Sequence, residues 1–398
     1  MKKAALLGCG VVGGGVAAII RDNAAFLEQS AGERVELKYI LELRDCSGEP
    51  WADRVIKDFA LIENDPEISV VAECIGGVTV AYEFVKRALL AGKNVVTCNK
   101  QLIAERGLEL LEIAKERHVF LLFEASVGGG IPLIRPLTNC LSANRIDLVC
   151  GIVNGTTNYI LTQMIECGQD FDSALKEAQR LGYAEADPTA DVDGLDSMRK
   201  ICILADLSFG SNLPPEKVPT EGIRGVALSD AAFADQLGYA VKLLAYARRL
   251  EGDTFTAFVA PQLVKKGTLM ASVSGVMNAV AVRGNAVGEC LFYGAGAGRM
   301  PTASAMVADI LDTMRRGDGR KFIDWGPERP ERFVDPDAVA SRWYVRYQNG
   351  CANNWMEQCA SENGECAGIT AEMLTRAELT EKLGGAELLN CFRVLDTD

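Results

Sequence analysis

The chain has 398 residues, a formal net charge of −13, and ordinary apolar and charged fractions of 48% and 24%, which places it among globular proteins of two or three domains. The acidic balance disfavours a nucleic-acid backbone or an anionic membrane as partner, and the single histidine, His118, all but removes a Ser-His-Asp triad or a multi-histidine zinc site. Thirteen scattered cysteines without a CxxC pair, a start with no signal pattern and no apolar run of about 18 residues point to a reduced, cytoplasmic setting.

Lys3 to Leu7 is an apolar run, followed by Gly8-Cys9-Gly10-Val11-Val12-Gly13 and a helical stretch from Gly14 to Arg21. This is GxGxxG between a strand and a helix, a dinucleotide fingerprint. Gly8 makes the tight turn, Gly10 lets backbone approach a pyrophosphate, and Gly13 allows close packing. A second strand, Val35 to Leu43, ends in Leu41-Glu42-Leu43-Arg44-Asp45. A carboxylate there suits the ribose of NAD and an arginine the 2′-phosphate of NADP. Arg44 favours NADP, against a plain Arg44–Asp45 surface pair.

Strands at Ser69 to Ile75, Asn94 to Thr97 and Val119 to Phe123 alternate with helical patterns such as Ala81 to Ala91. That alternation is an α/β, Rossmann-type doubly wound parallel sheet. Gly76 ends one strand where backbone can approach a cofactor. Thr97 ends the next, with Lys100 placed to face the crevice. The run Glu124 to Pro132 carries three glycines after a carboxylate, and reads as a hinge or a turn around a cation.

Gly182 to Lys200 holds Glu185, Asp187, Asp191, Asp193 and Asp196 and ends on a lysine four residues after Asp196. One reading is a solvated acidic loop with a helical ion pair worth about 0.3–0.5 kcal/mol; the other is an amino-acid site. Further helices are expected at Phe171 to Leu181, Leu195 to Ser208, Asp230 to Leu250 and Ala303 to Met314. Strands are expected at Thr254 to Val259, Met270 to Arg283 and Gly288 to Tyr293. From Arg316 to Pro336 glycine, proline and charge read as a linker.

Thr97 to Lys100, Glu124 to Pro132, Asn154-Gly155-Thr156-Thr157-Asn158-Tyr159, Gly294 to Ala305 and above all Ala178 to Lys200 resemble the homoserine dehydrogenases. Their signature A-x3-G-hydrophobic-small-x2-D-P-x2-D-hydrophobic-x-G-x-D-x3-K is met at every position from Ala178 to Lys200. The resemblance covers about residues 3 to 315. It implies interconversion of L-homoserine and L-aspartate 4-semialdehyde with NAD or NADP, in threonine, methionine and isoleucine biosynthesis. It also implies a dinucleotide domain at 1–135 plus 294–320 and a substrate and dimerisation domain at 136–293. The antiparallel sheet of the latter would build a homodimer or homotetramer. The segment 340–398 would be a shortened ACT-like remnant, with strands at Arg342 to Tyr347 and Leu389 to Leu395 and a helix at Glu372 to Leu383, or a small α+β accessory.

With histidine set aside, the proton falls to lysine. Lys200 is expected as acid/base, positioned by Asp196, with Lys100 orienting the substrate; an ordinary lysine pKa of about 10.4 needs lowering by burial or a second ammonium. Glu185 and Asp191 are expected at the substrate ammonium, with Thr156, Tyr183 and Gly155 framing the rest, and Asp187 and Asp193 holding the loop's turns. Gly296 and Gly298 would lie against the cofactor. The resemblance also implies a sodium-like monovalent cation on Glu124 with the carbonyls of Val127, Gly129 and Ile131. The competing functions are aspartate-semialdehyde dehydrogenase, which needs a thiolate and a histidine, and a dinucleotide-sensing regulator without chemistry.

Overall fold

The computed structural model describes residues 2–315, 322–348, 355–362, 364–384 and 387–395. The chain forms two compact units, one of Met1–Ala143, Asp206–Pro214 and Gly294–Glu328, the other of Asn144–Ala205, Pro215–Tyr293 and Arg329–Asp398. The head of the expected linker, 316–321, lies outside the described residues.

In the first unit β1 (Lys2–Leu7), α1 (Val11–Asp22), α2 (Ala24–Ala31), β2 (Val35–Leu41), β3 (Val55–Ile56), α3 (Ala60–Glu63), β4 (Ile68–Glu73), α4 (Thr79–Leu90), β5 (Asn94–Thr97), α5 (Lys100–Glu116) and β6 (Leu121–Leu122) alternate. Their sheet runs β3-β2-β1-β4-β5-β6 with every pairing parallel. Ala4 to Leu7 and Val70 to Ala72 are buried throughout, as strands covered on both faces must be. The order reverses between β1 and β4, where such sheets open a crevice at their carboxyl ends.

The second unit contains β7 (Ile146–Ile152), α6 (Gly155–Cys167), α7 (Phe171–Arg180), α8 (Thr189–Val192), the body of α9 (Leu195–Phe209), α10 (Leu228–Gln236), β8 (Tyr239–Arg249), β9 (Phe255–Lys265), β10 (Met277–Gly284) and β11 (Gly288–Ala295). Then α11 (Arg299–Arg315) packs in the first unit, where Met306 and Ile310 join Val16 and Ile20 of α1 in one core. The tail adds β12 (Trp343–Gln348), β13 (Met356–Glu362), β14 (Glu365–Thr370), α12 (Arg376–Leu383) and β15 (Leu388–Val394). It does not form a sheet of its own. β15 pairs in parallel with β9 (Arg393 with Gln262, Val394 with Leu263), giving a nine-stranded mixed sheet β11-β10-β7-β8-β9-β15-β12-β14-β13.

Three expectations need correction. The helix expected over Asp230 to Leu250 stops at Gln236, because Gly238 turns through φ +82°, and Tyr239–Arg249 continues as a strand buried on both faces over Val241 to Ala245. The strand expected from Met270 begins only at Met277, after Gly275 takes φ +65°. β7 was not expected at all. Among the described cysteines ten are free, while Cys366 is disulfide-bonded, which the scattered spacing did not indicate.

Candidate active site

The nucleotide end of the first unit is built from glycine geometry. Gly8 turns through φ +83°, and a Cβ on Gly13 would sit 2.0 Å from the Gly8 carbonyl oxygen, so α1 can start beneath the turn only with glycine there. Gly10 caps α1 without a side chain, leaving the first N–H groups of the helix for an anion. Val11 faces solvent, while Val12 packs against the core.

The carboxylate that serves this turn is Glu42, just past β2, and not Asp45. Glu42 accepts the Cys9 N–H (2.8 Å), the Arg44 N–H (3.0 Å) and the Arg44 guanidinium (2.7 Å), and the guanidinium above all holds its carboxyl down at about 2. Asp45 instead turns onto the Ser47 N–H (2.9 Å), so the Arg44–Asp45 pair is not formed. Arg44 remains 65% exposed, with Nη2 3.9 Å from where a Cβ on Gly10 would stand. The guanidinium therefore lies over the fingerprint.

Two residues not singled out in the sequence shape the neighbouring strand ends. Glu73, buried at the end of β4, accepts the N–H groups of Ile75 (2.6 Å) and Gly76 (3.3 Å) and the Thr97 hydroxyl (2.5 Å); burial pushes its carboxyl up. Asn99 donates to the Gly77 carbonyl (2.6 Å) and caps α5 by accepting the Leu102 N–H (3.0 Å). Thr97 is fully buried and its oxygen also accepts the Asn99 N–H, so its side chain supports the loop from beneath. Gly76 takes φ +83° with open space around it, and Lys100 begins α5. A Cβ on Gly129 would meet the Gly296 carbonyl at 2.5 Å, and Gly298 turns through φ +121° just before α11.

The Glu124 side chain organises the backbone after the glycines. Its oxygens accept the N–H groups of Leu133 (2.6 Å), Ile134 (2.9 Å) and Arg135 (2.8 Å). Asp309 accepts the Glu124 N–H (2.9 Å) and the Arg135 guanidinium (2.6 Å). The carboxylate thus ties the loop to the three N–H groups that follow it.

In the second unit the carboxylate stretch closes into a network. Lys200 is buried and donates to Asp196 (2.6 Å) and to the Val153 carbonyl (2.6 Å). The Asn154 amide donates to Asp196 (2.9 Å) and to Asp191 (2.7 Å), while its oxygen accepts the Thr157 N–H (2.9 Å) as the cap of α6. That cap fixes which end of the amide faces the carboxylates. Thr156 donates to the Tyr183 carbonyl (2.6 Å), and the exposed Tyr183 ring stands edge-on to Tyr159 at 5.1 Å. A Cβ on Gly155 would strike the Val276 carbonyl at 2.7 Å. Glu185 is exposed at the loop surface. Asp187 turns onto Thr189 (N–H 3.1 Å, hydroxyl 2.6 Å), whereas Asp193 pairs outward with Arg224 (2.5 Å).

Family models for homoserine dehydrogenase and for the homoserine dehydrogenase NAD-binding domain match residues 132–311 and 8–124. A homoserine dehydrogenase of Pseudomonas aeruginosa is 42% identical over 390 residues, 96% of this chain and 89% of that protein. The chain belongs to the homoserine dehydrogenase family. A homoserine dehydrogenase structure from Thiobacillus denitrificans superposes with a TM-score of 0.89 at 35% identity, covering 99% of this chain and 98% of that one. A hyperthermophilic archaeal homoserine dehydrogenase in complex with NADPH gives 0.67 at 30% identity, covering 80% and 100%. Like its family, the chain is an oxidoreductase acting on the hydroxyl group of homoserine, interconverting it with aspartate semialdehyde, and it carries an NAD(P)-binding domain. The thiolate dehydrogenase and the inactive sensor fall away.

For a homoserine dehydrogenase, the residue the sequence left unassigned is Asn154. Its amide nitrogen bridges Asp191 and Asp196. Replacing it with alanine is expected to lower kcat by about 10²-fold, the cost of a small misplacement of catalytic groups, with cofactor affinity unchanged. Asn154→Asp, which keeps the size but brings a third carboxylate, should not rescue it. A steady-state comparison in which only KM moved would remove Asn154 from the positioning role.

Proposed function

We propose that Lys200 is the acid/base of homoserine oxidation and aldehyde reduction. Its support is the buried Lys200 ammonium, fixed by Asp196 and the Val153 carbonyl, which leaves one of its three N–H groups for the reacting oxygen. The nicotinamide, when bound, supplies or accepts the hydride. Lys200 then gives the aldehyde oxygen its proton, or takes the proton of the hydroxyl in the reverse direction. Lys100 orients the substrate, Glu185 and Asp191 receive its ammonium, and Thr156, Tyr183 and the Gly155 backbone bound the rest.

The dinucleotide is held by Gly8, Gly10, Val11, Val12 and Gly13, with Gly76, Thr97, Lys100, Gly296 and Gly298 along its length. NADP is the preferred form, because the exposed Arg44 guanidinium lies over the fingerprint and is available to a 2′-phosphate. A sodium-like cation suits Glu124 with the carbonyl oxygens of Val127, Gly129 and Ile131, since Gly128 and Gly129 turn through φ +75° and +56° and hard oxygens are its natural donors. Its role is structural. The enzyme works in the cytoplasm as a homodimer or homotetramer through the sheet of the second unit, which light scattering measures directly. Among the described residues no helix is long and apolar enough to cross a membrane.

Initial rates with homoserine and each cofactor test the cofactor reading. The wild-type enzyme is expected to turn over with NADP+ at the lower KM. Arg44→Ala should raise that KM about 10-fold or more, the loss of one charge-assisted contact, and leave the NAD+ values unchanged. Equal effects on both cofactors would remove Arg44 from 2′-phosphate recognition.

A further inference from the structure

β4 and β5 lie side by side in parallel register, with Ala72 beside Val96 and Glu73 beside Thr97. Glu73 and Thr97 point to one face, where the Thr97 hydroxyl donates to the Glu73 carboxylate (2.5 Å). The ladder continues to Cys74, whose N–H donates to the Leu7 carbonyl (2.8 Å). Side chains alternate along a strand, so the next pair, Cys74 and Cys98, leaves together on the other face. There both half-buried thiols pack against the core that α1 and α11 share. The Cys98 thiol donates to the Glu73 carbonyl (3.8 Å), one residue before Cys74. It also bonds with the Cys74 thiol, and this contact, with burial, holds Cys74 well above the usual thiol range.

Strands so paired stand about 4.7–4.9 Å apart, inside the Cα separation of about 4.4–6.8 Å that a disulfide spans. A bond between the two sulfurs can therefore close without moving either strand. A third thiol, Cys9, acts on Cys74 least of its neighbours. The pair also stands at the crevice. A Cβ on Gly8 would come within 3.0 Å of the Cys74 carbonyl oxygen, so the fingerprint turn rests on this residue. Cys74 leads through Ile75 into Gly76, and Cys98 leads into Asn99, whose amide holds the Gly77 carbonyl (2.6 Å). Proton and hydride transfer use neither thiol.

We infer that Cys74 and Cys98 are an oxidisable dithiol, closed to a disulfide by low-molecular-weight disulfides and reopened by thiols, and that closure weakens dinucleotide binding. The bond ties together the segments that carry Gly76 and Lys100 and draws both sulfurs inward beneath the Gly8 turn. A bound cofactor in turn covers the thiols. This control rests on assigning Gly8, Gly76 and Lys100 to the cofactor; formation of the bond does not.

The exchange runs in two steps. Cys98 attacks first, because Cys74 rarely gives up its proton. An S–S bond forms between Cys98 and one half of the reagent, the reagent's own S–S bond breaks, and a thiolate leaves. Capping Cys98 removes the contact that most disfavours the Cys74 thiolate, which then attacks the Cys98 sulfur and expels the second half. The two cysteines lose two protons and two electrons, and the reagent becomes two thiols.

The full chain, first reduced, is incubated with oxidised glutathione in the presence and absence of NADP+. It is then mapped by peptide mass spectrometry, assayed for homoserine oxidation and titrated with NADP+ by calorimetry. A link between Cys74 and Cys98 is expected, slowed about 10-fold or more by NADP+ because access is lost. The linked enzyme should bind NADP+ about 10-fold or more weakly and recover with dithiothreitol. Cys74→Ser with Cys98→Ser, and separately Cys74→Ala with Cys98→Ala, should keep the activity of the reduced enzyme and lose none of it to oxidised glutathione. Failure of these two residues to link, a link from either to Cys9 in its place, or equal inactivation of the double variants overturns the dithiol. A Cys74–Cys98 link that NADP+ does not slow and that leaves NADP+ affinity unchanged keeps the dithiol and overturns its control of the crevice. The NADP+ affinity of the reduced enzyme, read in the same titration, tests the cofactor assignment apart from the dithiol.

Discussion

Lys200→Ala is expected to lower kcat for homoserine oxidation by about 10²–10⁴-fold, the range a positioned proton-transfer group supplies. NADP+ should bind to the variant with unchanged affinity, because the fingerprint, Glu42 and Arg44 do not involve α9. KM for homoserine should move little, since an interaction made chiefly with the reacting oxygen counts in the transition state. Lys200→Arg should not restore the rate. A guanidinium keeps its proton at any working pH and is larger and planar where Lys200 is enclosed by Asp196 and the Val153 carbonyl. Asp196→Asn makes the matching test: the lysine keeps one of its two anchors, so the loss should be smaller than for Lys200→Ala. Near-normal kcat in Lys200→Ala, with folding confirmed by circular dichroism, would end the acid/base assignment and pass the role to Lys100.

The second large effect is on stability. Asp230 is fully buried and accepts five hydrogen bonds, from Arg346 Nε (2.6 Å), Arg346 Nη2 (3.4 Å), Tyr344 (3.1 Å), Asn390 (2.8 Å) and the Ala227 N–H (2.9 Å). Arg346 has one further carboxylate, Glu365, at 2.8 Å. Asp230→Ala leaves a buried guanidinium half-answered together with a stranded Tyr344 hydroxyl, a change that costs about 3–5 kcal/mol when one partner of a buried pair is removed. Asp230→Asn keeps the shape and some acceptors, so it should cost less. Hydrogen exchange is the sensitive readout: protection should fall first in β12 and β15, which carry Arg346, Tyr344 and Asn390. Unaltered exchange there, with an unaltered melting midpoint, would mean that the tail is held by its sheet pairing and not by this cluster.

Much of the nucleotide unit was legible in the sequence because its cues are local. A glycine at φ +83°, a missing Cβ under a turn and an unbroken apolar run are each decided within a few residues, and Gly8, Gly13 and β4 are where such cues place them. Choosing between Glu42 and Asp45 was not local. Both follow β2 within four residues, and only the distance from Glu42 to the Cys9 N–H, across to another strand, separates them. Asn154 was hidden for a related reason: a helix cap is common, and its second pair of contacts is made with residues 37 and 42 positions away. β8 was mistaken for helix because Tyr239 to Ala247 is apolar at nearly every position, dense enough to satisfy either period, and only the Gly238 turn ahead of it separates it from α10. The joining of β15 to β9 is a contact between segments more than a hundred residues apart, and no local pattern foretells it.

That joining sets the order in which the protein is completed. β15 follows β9 and β12 in the chain, yet it lies between them in the sheet. During synthesis β9 and β12 each wait with an unpaired edge, and such edges are where chains associate wrongly. The nine-stranded sheet can close only once β15 has left the ribosome, whereas the six strands of the first unit's sheet are all made by residue 122. Ribosome stalling or premature stop codons anywhere in the last ten residues before 395 should therefore be far more damaging than their distance from Lys200 suggests.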